Sequence, residues 1–202
     1  MIARLITTGI GTFLMGFAIS LLIILNEGTD TISVFYLGLQ NQFGLELWLS
    51  CLLFNLVIMT LVFLIDKSQL GMGTMINFLG VSFCLKYFPI LLETVKPDQL
   101  PVLLSSFLVF FSVGLFGIGC GMYTSGKLGS AALESLSLAL NQRTSYSLRI
   151  IRIMLDSLLV IAGLLLGASI GMGTILCVIL VGPITQSVLS ISNYRVSGKV
   201  MK

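Results

Sequence analysis

The sequence contains no histidine, and charged residues make up only 9% of its 202 positions. Without histidine the chain lacks the commonest general base and the commonest metal ligand. No serine or cysteine has an evident base beside it, so an enzyme is the least expected class. An intramembrane acid catalyst using Asp156 and Glu134 is the one enzymatic alternative left open.

Cysteine is also scarce, and the four cysteines fall in four different apolar stretches. They show no Cys-x-x-Cys spacing, which favours small apolar side chains over a metal site or a disulfide. No metal and no cofactor are therefore expected.

Apolar residues dominate what is present. They make up 56% of the chain, and the mean hydropathy is +1.08, values that no soluble domain of this length has. A helix needs about 20 apolar residues to cross the hydrocarbon core of a membrane. Six runs approach that length: 5–26, 46–65, 72–92, 101–123, 151–169 and 172–191. They leave no room for a soluble domain, so residues 1–202 are predicted to form one all-α, polytopic membrane domain.

An internal repeat divides this domain. The tetrapeptide Gly-Met-Gly-Thr, called here the GMGT motif, occurs at residues 71–74 and again at 171–174. Each copy precedes the third apolar run of its half. Because three spans per half is an odd number, the second half must cross the membrane in the opposite sense. The prediction is two inverted three-helix repeats, residues 1–100 and 101–202.

A short polar stretch follows the first run of each half, at 29–43 and 129–143. Both are too short to span a membrane, and the second has the pattern of a short amphipathic helix. Such a segment either lies at the membrane interface or enters the membrane partway and returns, and the sequence leaves both open. Non-helical backbone at that depth requires protein or water around it, so a re-entrant segment would mark a cavity.

The basic residues predict the orientation, since cytoplasmic loops are enriched in lysine and arginine. With the N-terminus inside, nine basic residues lie on or near the cytoplasmic side: Arg4, Lys67, Lys127, Arg143, Arg149, Arg152, Arg195, Lys199 and Lys202. The outer connections are then mostly acidic: Glu27, Asp30, Glu46, Glu93 and Asp98. Both termini are predicted to be cytoplasmic. The net charge of +3 reflects this asymmetry, and no nucleic-acid partner is expected.

Arg152 and Asp156 are the polar pair that stands out inside an apolar run. They are four residues apart and share one helix face, with Asp156 about 6 Å deeper along the helix. An unpaired carboxylate at that depth costs about 2.5–3.5 kcal/mol on insertion scales, which favours pairing with Arg152. The pair either neutralises itself and locks the helix to its neighbours, or binds a solute or a proton; the sequence does not decide.

Further polar groups are predicted to face inward. The two GMGT motifs open helices, where the glycines allow a tight reversal and the threonines can cap free N–H groups. They favour a compact helix hairpin, with the alternative that the positive helix ends point at an anionic solute from opposite faces. The candidate solute-binding residues are Asp156, Arg152, Glu134, Asn77, Gly73, Thr74, Gly173 and Thr174.

These residues also carry a resemblance to a known family. The second half has, in order, Arg152, Asp156, Gly167, the GMGT motif and Gly182-Pro183, and the first half has Gly38-Leu39, the GMGT motif and Asn77. This pattern resembles the YczE-like bacterial integral membrane proteins, which are related in pattern to the YitT family. It covers nearly the whole chain and implies a multi-pass protein of the bacterial cytoplasmic membrane.

The chain departs from that pattern before each short segment, where the family commonly has Pro-x-Asp. Here the first half has Thr31-Ile32-Ser33 and the second has Ala132-Leu133-Glu134, so Glu134 alone retains an acidic group. A pair of acidic residues across the repeat is therefore not expected from the resemblance.

The leading functional hypothesis is a transporter or permease for a small polar or anionic solute, with its site where the halves meet. The alternative is a non-transporting membrane subunit, which captures a substrate for a larger complex or assists its assembly. The lipid bilayer is the expected surrounding, and a homo-oligomer or a membrane-complex partner is left open.

Overall fold

The computed structural model describes the backbone of residues 1–92 and 96–200, and side chains up to position 192 except that of Asp98. The described chain is all-helical, as predicted. Its helices are α1 (Ile2–Leu25), α2 (Thr31–Phe43), α3 (Leu47–Asp66), α4 (Met72–Leu91), α5 (Val102–Ser125), α6 (Ala132–Arg143), α7 (Leu148–Leu165) and α8 (Met172–Val200). Two short 3₁₀ helices, Lys67–Gln69 and Pro97–Gln99, lie between them.

Within the described part of the chain, five helices are long and apolar enough to cross a membrane. These are Ile2–Leu25, Leu47–Gln69, Met72–Leu91, Val102–Ser125 and Met172–Ser192. The remaining predicted span, 151–169, corresponds to α7, which has 18 residues and carries Arg149, Arg152 and Asp156. Because α7 is short and carries three charged residues, it does not qualify as an apolar membrane-spanning helix. The membrane location is therefore confirmed, with five rather than six helices that qualify by length and composition.

The short stretches of both halves form helices, α2 with 13 residues and α6 with 12. Each follows a break with the same backbone geometry. The break after α1 has Asn26 at φ 53° and Gly28 at φ 88°, and the break after α5 has Lys127 at φ 52° and Gly129 at φ 125°. Left-handed backbone of this kind ends a helix, and at the second position of each break it is glycine that adopts it. The two breaks are thus equivalent, at an offset of 101 residues.

Helices α1 and α5 pack closely against each other and form the centre of the bundle. A Cβ atom at Gly119 of α5 would lie 2.9 Å from the carbonyl oxygen of Gly11 and from Met15 of α1. In addition, α1 packs on α4 and α5 packs on α8. Small residues let membrane helices approach this closely.

The short helix of each half packs against a long helix of the other half. α2 lies along α7, where Gly38 meets Gly163, and α6 lies along α3, where the Arg143 guanidinium donates to the Ile65 carbonyl at 2.9 Å. The apolar side chains left exposed on the long helices, such as Phe63, Leu158 and Ile175, suit contact with lipid. The first turns of α2 and α6 are well covered by protein.

Candidate functional site: the junctions between the two halves

Each GMGT motif docks on the break of the other half. In the first, the Gly73 N–H donates to the Leu128 carbonyl at 2.8 Å, and in the second, the Gly173 N–H donates to the Glu27 carbonyl at 2.7 Å. A Cβ at Gly173 would collide with the carbonyl oxygen of Gly28. Backbone therefore meets backbone at both junctions, and any larger residue would hold the two chains apart.

The threonines of the motifs complete the same contacts. The Thr74 hydroxyl accepts from its own Gly71 N–H at 3.1 Å and donates to the Ser130 carbonyl at 2.7 Å. The Thr174 hydroxyl accepts from the Thr29 N–H at 3.1 Å. Each GMGT motif thus binds the break of the opposite half, a contact that the sequence did not predict. The prediction that Gly73, Thr74, Gly173 and Thr174 bind a solute stays untested, and their polar groups are bonded to protein in this structure.

Arg152 and Asp156 form the ion pair that their spacing predicts. The Arg152 Nε lies 2.9 Å from Asp156 Oδ2, with 41% and 25% of the two side chains exposed. The other carboxylate oxygen accepts a hydrogen bond of 3.0 Å from the Thr31 hydroxyl, 125 residues away. Asp156 therefore does more than neutralise Arg152, because it also holds the first residue of α2 against α7.

A second polar contact holds α2 from another helix, α3. Asn55 of α3 donates from Nδ2 to the Tyr36 hydroxyl at 3.2 Å and to the Cys51 carbonyl at 2.9 Å. At the offset of 101 residues, Cys51 and Asn55 correspond to Arg152 and Asp156. Both halves thus place a polar pair, four residues apart, at the same point of a long helix. The second half has a charged pair where the first has a neutral one.

Asp30 is the charged residue that is buried in the described part of the chain, although its position in the sequence predicted an outer connection. It caps the N-terminus of α2 and is 7% exposed. Its Oδ2 accepts from the Ser33 N–H and its Oδ1 from the Thr29 hydroxyl, both at 3.3 Å. Burial raises the pKa of the Asp30 carboxyl above its ordinary value, and the hydrogen bonds from Ser33 and Thr29 oppose that shift.

The burial of Asp30 opposes the gain from its cap. An N-cap carboxylate stabilises a helix by about 1 kcal/mol, whereas removing a charged carboxylate from water without a paired cation costs free energy. The equivalent cap of α6 is Ala131, which makes no side-chain hydrogen bond to that helix. The short helix of the second half therefore begins without a capping carboxylate. An alignment of the two halves at an offset of 101 residues places Asp30 opposite Ala131, and this difference was the signal in the sequence that could have drawn attention to Asp30.

The other two predicted residues lie apart from the ion pair. Glu134 lies in the first turn of α6 and is half-buried. Asn77 of α4 is buried, with its Nδ2 3.8 Å from the sulfur of Met15. In the described part of the chain no hydrogen bond joins either residue to Arg152 or Asp156.

A small cavity lies beside the first break. Its volume is about 30 Å³, and Asn26, Gly28, Thr29 and Ser169 contribute to its wall. That is enough space to hold water, and polar groups of the wall can bond to it. A larger solute would need the two halves to separate at this junction.

Comparison with known proteins places the chain in a family. Residues 2–190 match a family described as a family of unknown function, DUF6198. An uncharacterized protein of Haemophilus influenzae is 27% identical over 88% of this chain and 79% of its own length. The uncharacterized membrane protein YczE of Bacillus subtilis is 26% identical over 87% and 80%, and the uncharacterized protein YyaS of the same organism 26% over 86% of each. No solved structure matches. The resemblance to YczE-like proteins is confirmed.

Proposed function

We propose that this chain, which belongs to the DUF6198 family of unknown function, moves a small polar or anionic solute across the bacterial cytoplasmic membrane. The observation that carries the proposal is the contact of Thr31 with the Asp156–Arg152 pair at the start of α2. There a short helix begins inside the bundle, against the opposite half. Transporters commonly bind their solutes at such broken helices, where two repeats meet.

The proposal includes a sixth span and an inverted arrangement of the halves. The ion pair neutralises two of the three charges on α7, and Arg149 lies one residue from the helix start, where it can reach the headgroups. With six spans and both termini cytoplasmic, the two breaks lie toward opposite faces of the membrane. The equivalent φ angles and the reciprocal docking of the GMGT motifs support this arrangement.

The ion pair suits an anionic group on the solute. Of the guanidinium nitrogens of Arg152, only Nε has a hydrogen-bond partner among the described residues, and 41% of the side chain is exposed. The two terminal nitrogens are therefore available to a carboxylate or phosphate in the planar geometry that arginine favours. Asp156 and Thr31 would then bind hydroxyl or amino groups of the same solute.

An unbiased uptake experiment tests the proposal. Membrane vesicles from expressing cells are incubated with an isotopically labelled extract of bacterial small molecules, and the labelled compounds retained are measured by mass spectrometry. We expect at least one polar compound to be retained by the wild type and lost with Arg152→Gln and with Asp156→Asn. Arg149→Gln is the matched control, since Arg149 is exposed and lies one turn away. No difference between wild type and the two variants would contradict transport through this site.

The small cavity favours a second candidate, a membrane subunit that does not transport by itself. In that case the chain would be extracted in mild detergent with another protein in a fixed ratio. If the chain is extracted alone, and liposomes that contain it still retain the labelled compound, the chain is a transporter. A fixed complex together with inactive liposomes decides for the subunit.

A further inference from the structure

We propose that Asp30 is a proton-binding site, whose buried carboxyl group takes up and releases one proton by way of Thr29 and the small cavity beside it. The proposal goes beyond the solute site, because it supplies the ion that would couple to solute movement. Its test measures protonation without any transport, so it can fail while the proposed function stands.

The surroundings of Asp30 fit the neutral acid. The residue is 7% exposed, and among the described residues the one ion pair within 4.0 Å is Arg152 with Asp156, so no cation of the described chain pairs with Asp30. The Ser33 side chain faces the Asp30 carboxyl and is fully buried, and its hydroxyl bonds to no group other than Asp30 among the described residues. A protonated carboxyl needs an acceptor for its O–H, and this hydroxyl oxygen can provide one.

The other titratable and charged groups around Asp30 do not provide a compensating charge. From the surrounding helices these are Tyr36, Cys51, Cys120 and Cys177, the Arg152–Asp156 pair, and Glu134 beyond Cys120. Thiols and phenols are neutral at neutral pH. The charge of Arg152 is taken up by Asp156. No cation of the described chain therefore compensates the charge of the Asp30 carboxylate. A proton, the smallest cation that could neutralise it, can do so.

The equivalent junction shows that the fold does not require this carboxyl. At the second break the cap position is Ala131, yet α6 begins there and the GMGT motif docks in the same way. A group that costs free energy to bury, and that the matching junction does without, points to a role other than the start of the helix.

A route for the proton lies beside the residue. Thr29 contributes to the wall of the water-sized cavity and donates its hydroxyl proton to Asp30 Oδ1 at 3.3 Å. A hydrated proton in the cavity can transfer to the Thr29 oxygen while the proton of that hydroxyl moves to Asp30. Each oxygen then ends with its ordinary number of bonds, and nothing is oxidised or reduced.

Infrared difference spectroscopy tests the assignment directly. The protein in liposomes, labelled with ¹³C-aspartate, is stepped from acidic to alkaline pH in choline chloride, and the carbonyl band of a protonated aspartate is recorded. We expect a band at neutral pH in the wild type that is absent from Asp30→Asn, which retains a good helix cap. Glu27→Gln is the matched control, because it removes an exposed carboxyl from the same break and should leave the band unchanged.

Three results would overturn the proposal. The first is the absence of a protonated aspartate band in the wild type at neutral pH, and the second is its persistence in Asp30→Asn. The third is loss of the wild-type band when sodium chloride replaces choline chloride at constant pH, which would assign the site to Na⁺. If Asp30→Asn does not fold, Ser33→Ala gives the answer, because removal of the acceptor should shift the band and an unshifted band counts against the assignment.

Discussion

Replacement of Gly173 by alanine is the sharpest test of the docked GMGT motif. The added Cβ would collide with the Gly28 carbonyl, which belongs to the break of the other half. To make room, the N-terminus of α8 must move away from that break. The Gly173 bond to the Glu27 carbonyl, now 2.7 Å, and the Thr29 bond to the Thr174 hydroxyl, now 3.1 Å, would both lengthen.

The expected cost follows from these contacts. Each of the two hydrogen bonds contributes about 1 kcal/mol, and forcing one carbon into a filled space costs about 1–3 kcal/mol. Alanine recovers up to about 1 kcal/mol through its better helix propensity. We therefore expect Gly173→Ala to lower the free energy of unfolding by about 2–4 kcal/mol. Gly114 in α5 is the control, since a Cβ there meets nothing within 4 Å and its replacement should be neutral or mildly stabilising.

The measurement is reversible unfolding in mixed micelles, in which the denaturing detergent is titrated and helix content is followed by circular dichroism. Gly173→Ala should unfold at a clearly lower fraction of denaturing detergent than Gly114→Ala. Equal stability of the two variants would refute the docking, because a filled backbone contact cannot accept a methyl group without cost. The same comparison at Gly73, which packs on Leu128, should give the same sign.

Three more predictions concern the polar groups around α2. In a double-mutant cycle of Arg152→Gln and Asp156→Asn, we expect a coupling of about 1 kcal/mol in the free energy of unfolding, because each single change strands one charge; additive effects would contradict the pairing. The stable double variant should lose solute uptake in vesicles, and full uptake would leave the pair with a packing role alone. Burial raises the pKa of the Asp30 carboxyl above its ordinary value. The carboxyl therefore contributes to the stability of the fold at low pH, and this contribution is lost as the pH rises from the ordinary pKa through the raised pKa. The melting temperature of Asp30→Asn should lack this decline. Asn55→Leu removes the bond to Tyr36 and should increase amide hydrogen exchange in α2 but not in α6.

The sequence was informative wherever a pattern is local. Long apolar runs predicted the membrane helices, and the spacing of Arg152 and Asp156 predicted their ion pair, because helix geometry fixes which residues four apart can meet. The one span that composition does not support is α7, and the reason is the same pair together with Arg149. The charges that mark the candidate site are those that lower the hydropathy of the helix carrying them.

The sequence did not reveal contacts that depend on how the halves meet. The repeat was found from the GMGT motif, whose copies are 100 residues apart, and the starts of α1 and α5 and of α4 and α8 match at that same offset. The two breaks, and the starts of α2 and α6 and of α3 and α7, match at an offset of 101 residues instead. One residue of difference hides the correspondence of Asn55 with Asp156 and of Asp30 with Ala131. Nor could hydropathy alone tell that Asp30 is buried, because it lies between a span and a short helix, where a solvent-exposed turn is the usual expectation.

Asn26 and Lys127 offer the most direct test of the central claim that the two halves are inverted about their shared junctions. They are exposed, have φ angles of 53° and 52°, and take equivalent places in the two breaks. In a background without the four native cysteines, single cysteines at these positions are labelled in intact cells with a reagent that does not cross the membrane. We expect Asn26→Cys to be labelled in intact cells and Lys127→Cys to be labelled only after the membrane is opened. Equal labelling of both positions in intact cells would contradict it.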